Sequence, residues 1–295
     1  MNHGSIVCGT VATPSLELAL ADYRDALGLE VVETGTVSAD LASAWGAPAS
    51  AGARSAVLQP KSGNSCYLRL VEQLVPNDFV PTTSFGWAAF EFTVQDVFGW
   101  PERLAKSGFD IVGPPRAIPG LPYFVAMQAV GRGREMIYLN EVAMDTPTSD
   151  LPRAHSPVDR IFIVILACAD RPAALAWYRD RLRLDVGADY AIPYTMINRA
   201  FGLAEDHLST ITMVQHGRMP IVEVDGYPHA AVTRPGPADL LPAGNAMVTL
   251  AVDDLDALAL DWLAPPVARD GPIYAGRRCA TVIGPAGERL ELVER

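Results

Sequence analysis

Leu20-Ala-Asp-Tyr-Arg-Asp-Ala-Leu-Gly-Leu-Glu-Val31 returns later in the chain as Leu175-Ala-Trp-Tyr-Arg-Asp-Arg-Leu-Arg-Leu-Asp-Val186. Tyr23, Arg24, Asp25, Leu27, Leu29 and Val31 coincide with Tyr178, Arg179, Asp180, Leu182, Leu184 and Val186 at a constant offset of 155 residues. Self-similarity at a fixed spacing marks a duplicated architecture. Each copy carries apolar residues at helical spacing and then an alternating run, so each predicts the last turns of a helix leading into a strand. Gly28 suits a left-handed cap between the two.

Outward from these copies the chain divides into four units. In the first, a strand at 6–12 precedes a helix opened by Pro14-Ser15, and strands at 29–33, 54–59 and 66–71 follow, with a short helix at 37–45. The second unit predicts a strand at 87–94, a helix at 97–107 and strands at 109–112, 123–130 and 135–140, with Gly113 to Pro122 as a loop. The third repeats the first: strand 160–166, helix 171–182, strand 184–187, helix 194–201 and strands 210–215 and 219–224. The fourth predicts a strand at 247–252, a helix at 255–263 and strands at 272–274, 279–283 and 289–293. Val94-Gln-Asp96 matches Val252-Asp-Asp254, and Glu135-Met-Ile-Tyr-Leu139 matches Glu288-Arg-Leu-Glu-Leu292, so units two and four share a frame. The polar, proline-containing stretch 142–158 reads as an interdomain linker. The expected architecture is α+β: tandem βαβββ modules in two domains, 1–145 and 158–295.

The totals agree with two domains, since 295 residues is about twice an ordinary domain length. A 49% hydrophobic composition allows a sizeable core. The net charge of -11 argues against general nucleic-acid binding, which needs phosphate neutralisation, and against anionic membranes. Cys8, Cys66, Cys168 and Cys279 form no CxxC pair and suit free thiols in a reducing compartment. No signal peptide and no apolar run of membrane-spanning length is evident, so a cytoplasmic protein is expected.

Four such units, helices ending in Tyr-Arg-Asp-x-Leu, and the closing Gly284-Pro-Ala-Gly-Glu-Arg-Leu-Glu-Leu292 together resemble the vicinal oxygen chelate superfamily, the glyoxalase, bleomycin-resistance and extradiol-dioxygenase fold. The resemblance implies that each two-unit domain closes a cupped sheet around a pocket. It also implies inward-facing ligand positions on the first and last strand of each unit. Mapped by the repeats, these fall on Cys8, Arg69, Ala89 and Tyr138 in the first domain, and on Ile163, Glu223, Met247 and Glu291 in the second. The family's histidines are missing at all eight. A thiol, a guanidinium and a phenol make no divalent-metal site, and two glutamates beside Ile163 and Met247 make a poor one. No metal and no cofactor is therefore expected.

Glu223 and Glu291 lie in alternating strands, and by this mapping both enter one cavity of the second domain. Close carboxylates raise one another's pKa and offer an acid–base pair. The alternative is that they face solvent or pair with arginines. His216, in the turn after 210–215, is a candidate proton shuttle, although a surface histidine is the ordinary outcome. Tyr190, Tyr194 and Tyr274 are candidates for a substrate-stacking rim, with Met247 and Ile163 on the pocket wall. Arg69 and Tyr138 hold the equivalent places in the first domain. A buried arginine needs an anionic partner, either a substrate carboxylate or a structural acid such as Glu91. Gly131-Arg-Gly is a hairpin turn between strands and holds no phosphate.

The reading that follows is a metal-independent isomerase or lyase acting on a small, aromatic or carbonyl-bearing metabolite through Glu223 and Glu291. The alternatives are a non-catalytic small-molecule or drug-binding protein of the bleomycin-resistance type, or a divergent metal-dependent ring-cleavage dioxygenase. The expected partners are a small-molecule substrate and, as an option, a second copy of the chain in a homodimer.

Overall fold

The computed structural model describes residues 2–118 and 121–295. The first unit runs β1 (Ile6–Thr13), α1 (Leu16–Leu20) continued by a wider π-turn (Ala21–Ala26), β2 (Glu30–Thr36), α2 (Ala39–Ala44), β3 (Arg54–Gln59) and β4 (Tyr67–Glu72). The second has β5 (Gly86–Val94), α3 (Trp100–Leu104), β6 (Asp110–Ile118), β7 (Leu121–Val130) and β8 (Met136–Val142). The third has β9 (Val158–Cys168), α4 (Arg171–Leu182), β10 (Asp185–Pro193), α5 (Thr195–Ala200), β11 (Leu208–His216) and β12 (Met219–Gly226). The fourth has β13 (Gly244–Val252), β14 (Val267–Ala268), β15 (Arg278–Ile283) and β16 (Arg289–Glu294). Local chemistry accounts for the repeated ends. Ser15 and Asp170 cap their helices through side-chain bonds to Leu18 N and Ala173 N, satisfying otherwise orphaned N–H groups. Gly28 and Arg183 take the same left-handed exit, at φ 78° and 58°.

The strands form two eight-stranded sheets. The first runs β14-β15-β16-β13-β1-β4-β3-β2, and the second β10-β11-β12-β9-β5-β8-β7-β6. The expected pairing of units is therefore corrected. Unit one shares its sheet with unit four, through the antiparallel pair β1–β13, and unit two shares its sheet with unit three, through β5–β9. The stretches 1–145 and 158–295 each contribute two units, one to either sheet, so neither closes a cup by itself.

Two expected elements are absent. Residues 255–263 form turns in place of a helix. The Asp254 carboxylate bonds the N–H groups of both Asp256 and Ala257, and Leu258, Leu260 and Trp262 then turn their side chains onto the core at every second position. Pro265-Pro266 stops any continuation. Residues 272–274 form a turn, and the short strand lies earlier, at β14. The helix expected at 97–107 shrinks to α3 after one 3₁₀ turn at Val97–Gly99. Of the loop expected from Gly113 to Pro122, residues 113–118 extend β6, and Pro119-Gly120 lie outside the described residues.

The main core lies between the backs of the two sheets and their helices, and includes Val11, Leu70, Phe90, Phe92, Val164, Val222, Val248 and Leu290. Gly9 is required at the crossing. A Cβ there would come within 2.8 Å of Phe90 and 2.7 Å of Ile161. The connector between units three and four is pinned by Arg234, which donates to the carbonyls of Trp87 and Asn245 and to Ser84. Burial without a counter-charge pushes its guanidinium down to about 10.

Tyr23 and Tyr178, the fixed points of the repeat, join the sheets. The Tyr23 hydroxyl donates to Glu135 Oε1 and the Tyr178 hydroxyl to Glu288 Oε1, both at 2.8 Å and both buried. Burial pushes each of these glutamates up to about 7, against the hydrogen bonds that pull it down. The native chain thus keeps two protons that the unfolded chain releases near pH 4.5. Stability from this source is complete below about pH 4.5 and is lost as pH rises through about 7. Urea unfolding at pH 5.5 and pH 8 should show the protein less stable at pH 8, by roughly 2 kcal/mol per glutamate. A Glu135→Gln/Glu288→Gln variant should lose that part of the pH dependence and keep the part due to other buried acids, and an unchanged slope would remove the assignment.

Candidate functional site

The concave faces of the two sheets are the places where alternating strands aim polar side chains inward. In the first sheet, the register sets Thr10 beside Arg69 and Thr249 beside Glu291. In the second, it sets Glu91 beside Tyr138 and Ile165 beside Glu223. The first-strand positions facing the cup centres are thus two residues beyond Cys8, Met247, Ala89 and Ile163. A shift of two keeps the same face.

Glu223 and Glu291 do not share a cavity, because β12 and β16 belong to different sheets. Glu291 is 1% exposed and saturated with donors. Trp45 Nε1 and the Tyr274 hydroxyl reach its Oε1 at 2.9 Å, and the Thr249 hydroxyl reaches Oε2 at 2.7 Å. Arg69 Nη2 lies 3.8 Å from Oε2 and donates to the Tyr274 hydroxyl at 2.8 Å. Its guanidinium lies 4.7 Å from the Trp45 ring centre and 5.5 Å from that of Tyr274. This cup contains its own cation, carboxylate and aromatic walls. Arg69 therefore meets a structural acid, Glu291 in place of the anticipated Glu91. Met247 packs beside Trp45 and Ala12 at the edge of the same network. Cys8 is buried, and desolvation pushes its thiol up to about 11.

The second cup is built differently. Glu223 lies between Tyr194, whose hydroxyl donates to Oε1 at 3.2 Å, and Asp225 on the same face of β12. The Tyr138 and Tyr194 hydroxyls are 3.0 Å apart. Asn140 donates to Glu91, which is close enough to Glu223 for the two charges to act on each other. Desolvation is the largest effect on all three acids. It raises Glu91 well above the usual carboxylate range, with Glu223 adding repulsion, and it raises Asp225 likewise. Glu223 is pushed up to about 7, held down by the bonds it accepts from Tyr194 and Asp225. As a carboxylate, Asp225 has no donor for either oxygen. A carboxylic acid at Asp225, two residues from Glu223 on the same face of β12, donates to Glu223, which agrees with the direction of both shifts: a protonated Asp225 beside a Glu223 that ionises near neutrality.

Tyr190 is 39% exposed on β10, opposite Ile211, whose other partner is Asp225, so it stands on the same face two strands out. Ile163 is buried with Phe162 and Leu151. Tyr274 belongs to the first cup. His216 ends its hairpin against the His3 ring, 5.5 Å between centres, beside a 150 Å³ cavity that also meets Asp253. It is not part of the glutamate cluster. A larger cavity of 400 Å³, with Arg160, Asn2 and Asn64 on its wall, lies between the sheets and away from both cups.

Paired eight-stranded sheets of this kind are known. Over 98% of this chain and 92% of the other, the structure resembles glyoxalase I from Zea mays at 16% identity, with a TM-score of 0.64. A point mutant of the same enzyme matches over the same shares of the two chains, at 18% identity and a TM-score of 0.64. A Bacillus subtilis protein described as a candidate dioxygenase matches at 10% identity and 0.63, over 99% and 86% of the two chains. The chain has the fold of the vicinal oxygen chelate superfamily. No protein-family model matches the sequence, and no curated protein matches it. Among the described residues no helix is long and apolar enough to cross a membrane.

The metal implied by the vicinal oxygen chelate fold does not fit the residues present. Arg69 puts a positive charge in the first cup beside a glutamate that already has donors on both oxygens. The second offers Glu91, Glu223 and the Tyr138 phenol beside Ile165, and no described group of three His, Cys, Asp or Glu is arranged to hold an ion. Asp225, Asn140 and Tyr227 were not anticipated, and Glu91 was anticipated as a partner for Arg69 and not as a member of this cluster. Glu91 had a signal, an acid within the apolar run Phe90-Glu-Phe92, and Asp225 follows Glu223 at the same-face spacing of two.

The first cup tests as an ion pair. Arg69→Met should destabilise the protein by roughly 3–5 kcal/mol, because it leaves Glu291 buried without its cation. Arg69→Met/Glu291→Gln should recover at least half of that loss in urea unfolding. A double-mutant loss equal to the sum of the single losses would show that the two side chains are not coupled.

Proposed function

We propose that the protein is an enzyme that moves a proton on a small organic substrate at the cup of the second sheet, an isomerase or lyase. Glu223 is the base, Asp225 holds the proton that keeps Glu223 ionisable near neutrality, and the Tyr194 hydroxyl, which accepts from Tyr138, donates to Glu223 and fixes its position. The observation that carries this reading is the buried chain Tyr138–Tyr194–Glu223–Asp225, with Glu223 pushed up to about 7. A base whose pKa lies at the working pH combines a useful ionised fraction with a strong driving force for proton abstraction. Glu291 takes no part, since it lies in the other cup. The comparisons support the fold, and the activities named for the similar structures are not needed for the proposal.

A second reading has its own support. Three acids with no basic side chain bonded to them also suit the sequestration of a cationic molecule without turnover. Turnover decides between the two. The native protein in D₂O, incubated with a panel of carbonyl-bearing and aromatic small acids, amines and alcohols, should exchange substrate C–H for deuterium, followed by proton NMR. Activity should rise with pH through a midpoint near 7, since ionised Glu223 is the active form. Glu223→Gln should lower the rate by about 10²–10⁴-fold, the usual span for a lost general base. Exchange that survives this substitution would sink the assignment.

A further inference from the structure

We propose that the cup of the second sheet takes a small organic cation, a guanidinium or alkylammonium group, in the place that Arg69 fills in the first. This names the substrate class of the proton-transfer site and rests on the reading of that cup as the working one.

The argument is an internal comparison. Arg69 on β4 and Glu223 on β12 hold equivalent places. Each is on the last strand of the first unit of a half, beside a first-strand residue, Thr10 or Ile165. Glu291 and Tyr138 correspond in the same way, as do Thr249 and Glu91. The segments that end in Trp45 and begin at Tyr194 cover the two cups. In the first cup a guanidinium lies against two aromatic rings and near a carboxylate. In the second, the same fold positions supply carboxyl groups and aromatic rings, and the cation is missing. Glu91, Glu223 and Asp225 meet Tyr138, Tyr194 and Asn140, and among the described residues no Lys, Arg or His bonds to any of the three acids. The guanidinium whose charge reaches this wall is that of Arg234, behind Tyr227, and it is committed to Ser84 and the carbonyls of Trp87, Ala243 and Asn245.

Unmatched acceptors point the same way. Asn140 Oδ1 has no donor although Asn140 is 0% exposed, and Asp225, 1% exposed, has no partner outside the acid cluster itself. Buried acceptors of this kind are costly unless a donor arrives. A guanidinium supplies five N–H donors and no acceptor, and an aromatic wall adds cation–π attraction. A neutral amide of the same size would bring acceptors of its own to a site that already has too many. Without a ligand, protons neutralise these acids, so a cation that enters releases protons to solvent. Tyr194, half-buried, is the least covered member of the cluster.

The test is calorimetric titration of the full chain at pH 7.5 with methylguanidine, and with methylurea as its neutral match, in two buffers of different ionisation enthalpy. Methylguanidine should bind with release of a proton, and methylurea should bind at least tenfold more weakly. Asp225→Asn and Glu223→Gln should each weaken methylguanidine at least tenfold. Tyr194→Phe, which keeps the ring, should weaken it less, with folding of every variant checked by circular dichroism. Equal binding of the two probes, or of methylguanidine by wild type and Glu223→Gln, overturns the proposal. So does displacement of methylguanidine by equimolar Mn²⁺, which would assign the acceptors to a metal ion. The two readings of the cup fail separately. Methylguanidine binding together with deuterium exchange that ignores Glu223→Gln removes the base and leaves the cation site. Loss of exchange in Glu223→Gln with no discrimination between the probes does the reverse.

Discussion

A buried tyrosine hydroxyl against a buried glutamate, used twice, holds the two sheets in register. Each half of the chain places its first unit in one sheet and its second unit in the other, so a bond between the two units is a bond between sheets. Tyr23 reaches Glu135 and Tyr178 reaches Glu288, at the same 2.8 Å. Each glutamate immediately precedes the last strand of its unit, just after a tight turn. A Cβ on Gly131 or Gly284 would come within about 2.1 Å of the carboxylate, so the turn must begin with glycine for the acid to lie beneath it. Glu288 also accepts the Ala286 N–H, which ties the turn to the tyrosine of the other sheet. The motif that repeats along the chain is therefore also the contact that sets how the repeated units assemble.

This explains what could be read from the residues alone. The repeat of Tyr23-Arg-Asp25 at Tyr178-Arg-Asp180 reveals four units, and alternation reveals the inward face of each strand. Both survive in the structure. Neither specifies which unit lies beside which. Pairing one with two satisfies the same local patterns as pairing one with four, because period two records a face and not a neighbour. Glu223 and Glu291 illustrate the gap: both face a concave surface as expected, in two different sheets. The first-strand positions illustrate it again. Thr10, Thr249, Glu91 and Ile165 differ from the anticipated residues by two, a slip that parity cannot detect. The missing helix at 255–263 has a different cause. Its apolar residues suit either a helix or an extended run with every second side chain buried. The Asp254 turn and the following prolines favour the second.

The two cups show how the same scaffold manages buried charge in two ways. Around Glu291, three hydroxyl or indole donors and a guanidinium satisfy the carboxylate, and aromatic faces cover the cation. Such a pair adds little net stability over an apolar filling, yet losing one member is expensive. Once built, the arrangement is therefore locked in. Around Glu223 no cation is supplied, and desolvation forces protons onto the acids. The first solution is inert, because every strong acceptor is occupied. The second is the one to which the proposed function assigns chemistry, because its protons are held only by burial and by one another.

Two equivalent cups make this difference tolerable. A single cup that had to be both packed core and the site of the proposed chemistry would lose packing wherever it left an acceptor free. Here the first sheet carries Trp45, Arg69, Tyr274 and Glu291 with a donor on each carboxylate oxygen, joined to the second by the Tyr23 and Tyr178 bonds and by Trp87 donating to the Arg289 carbonyl. That support lets the second sheet hold Asp225 and Asn140 with unmatched atoms. The asymmetry between equivalent positions, arginine against glutamate and glutamate against tyrosine, is thus more informative about function than the symmetry that first revealed the fold.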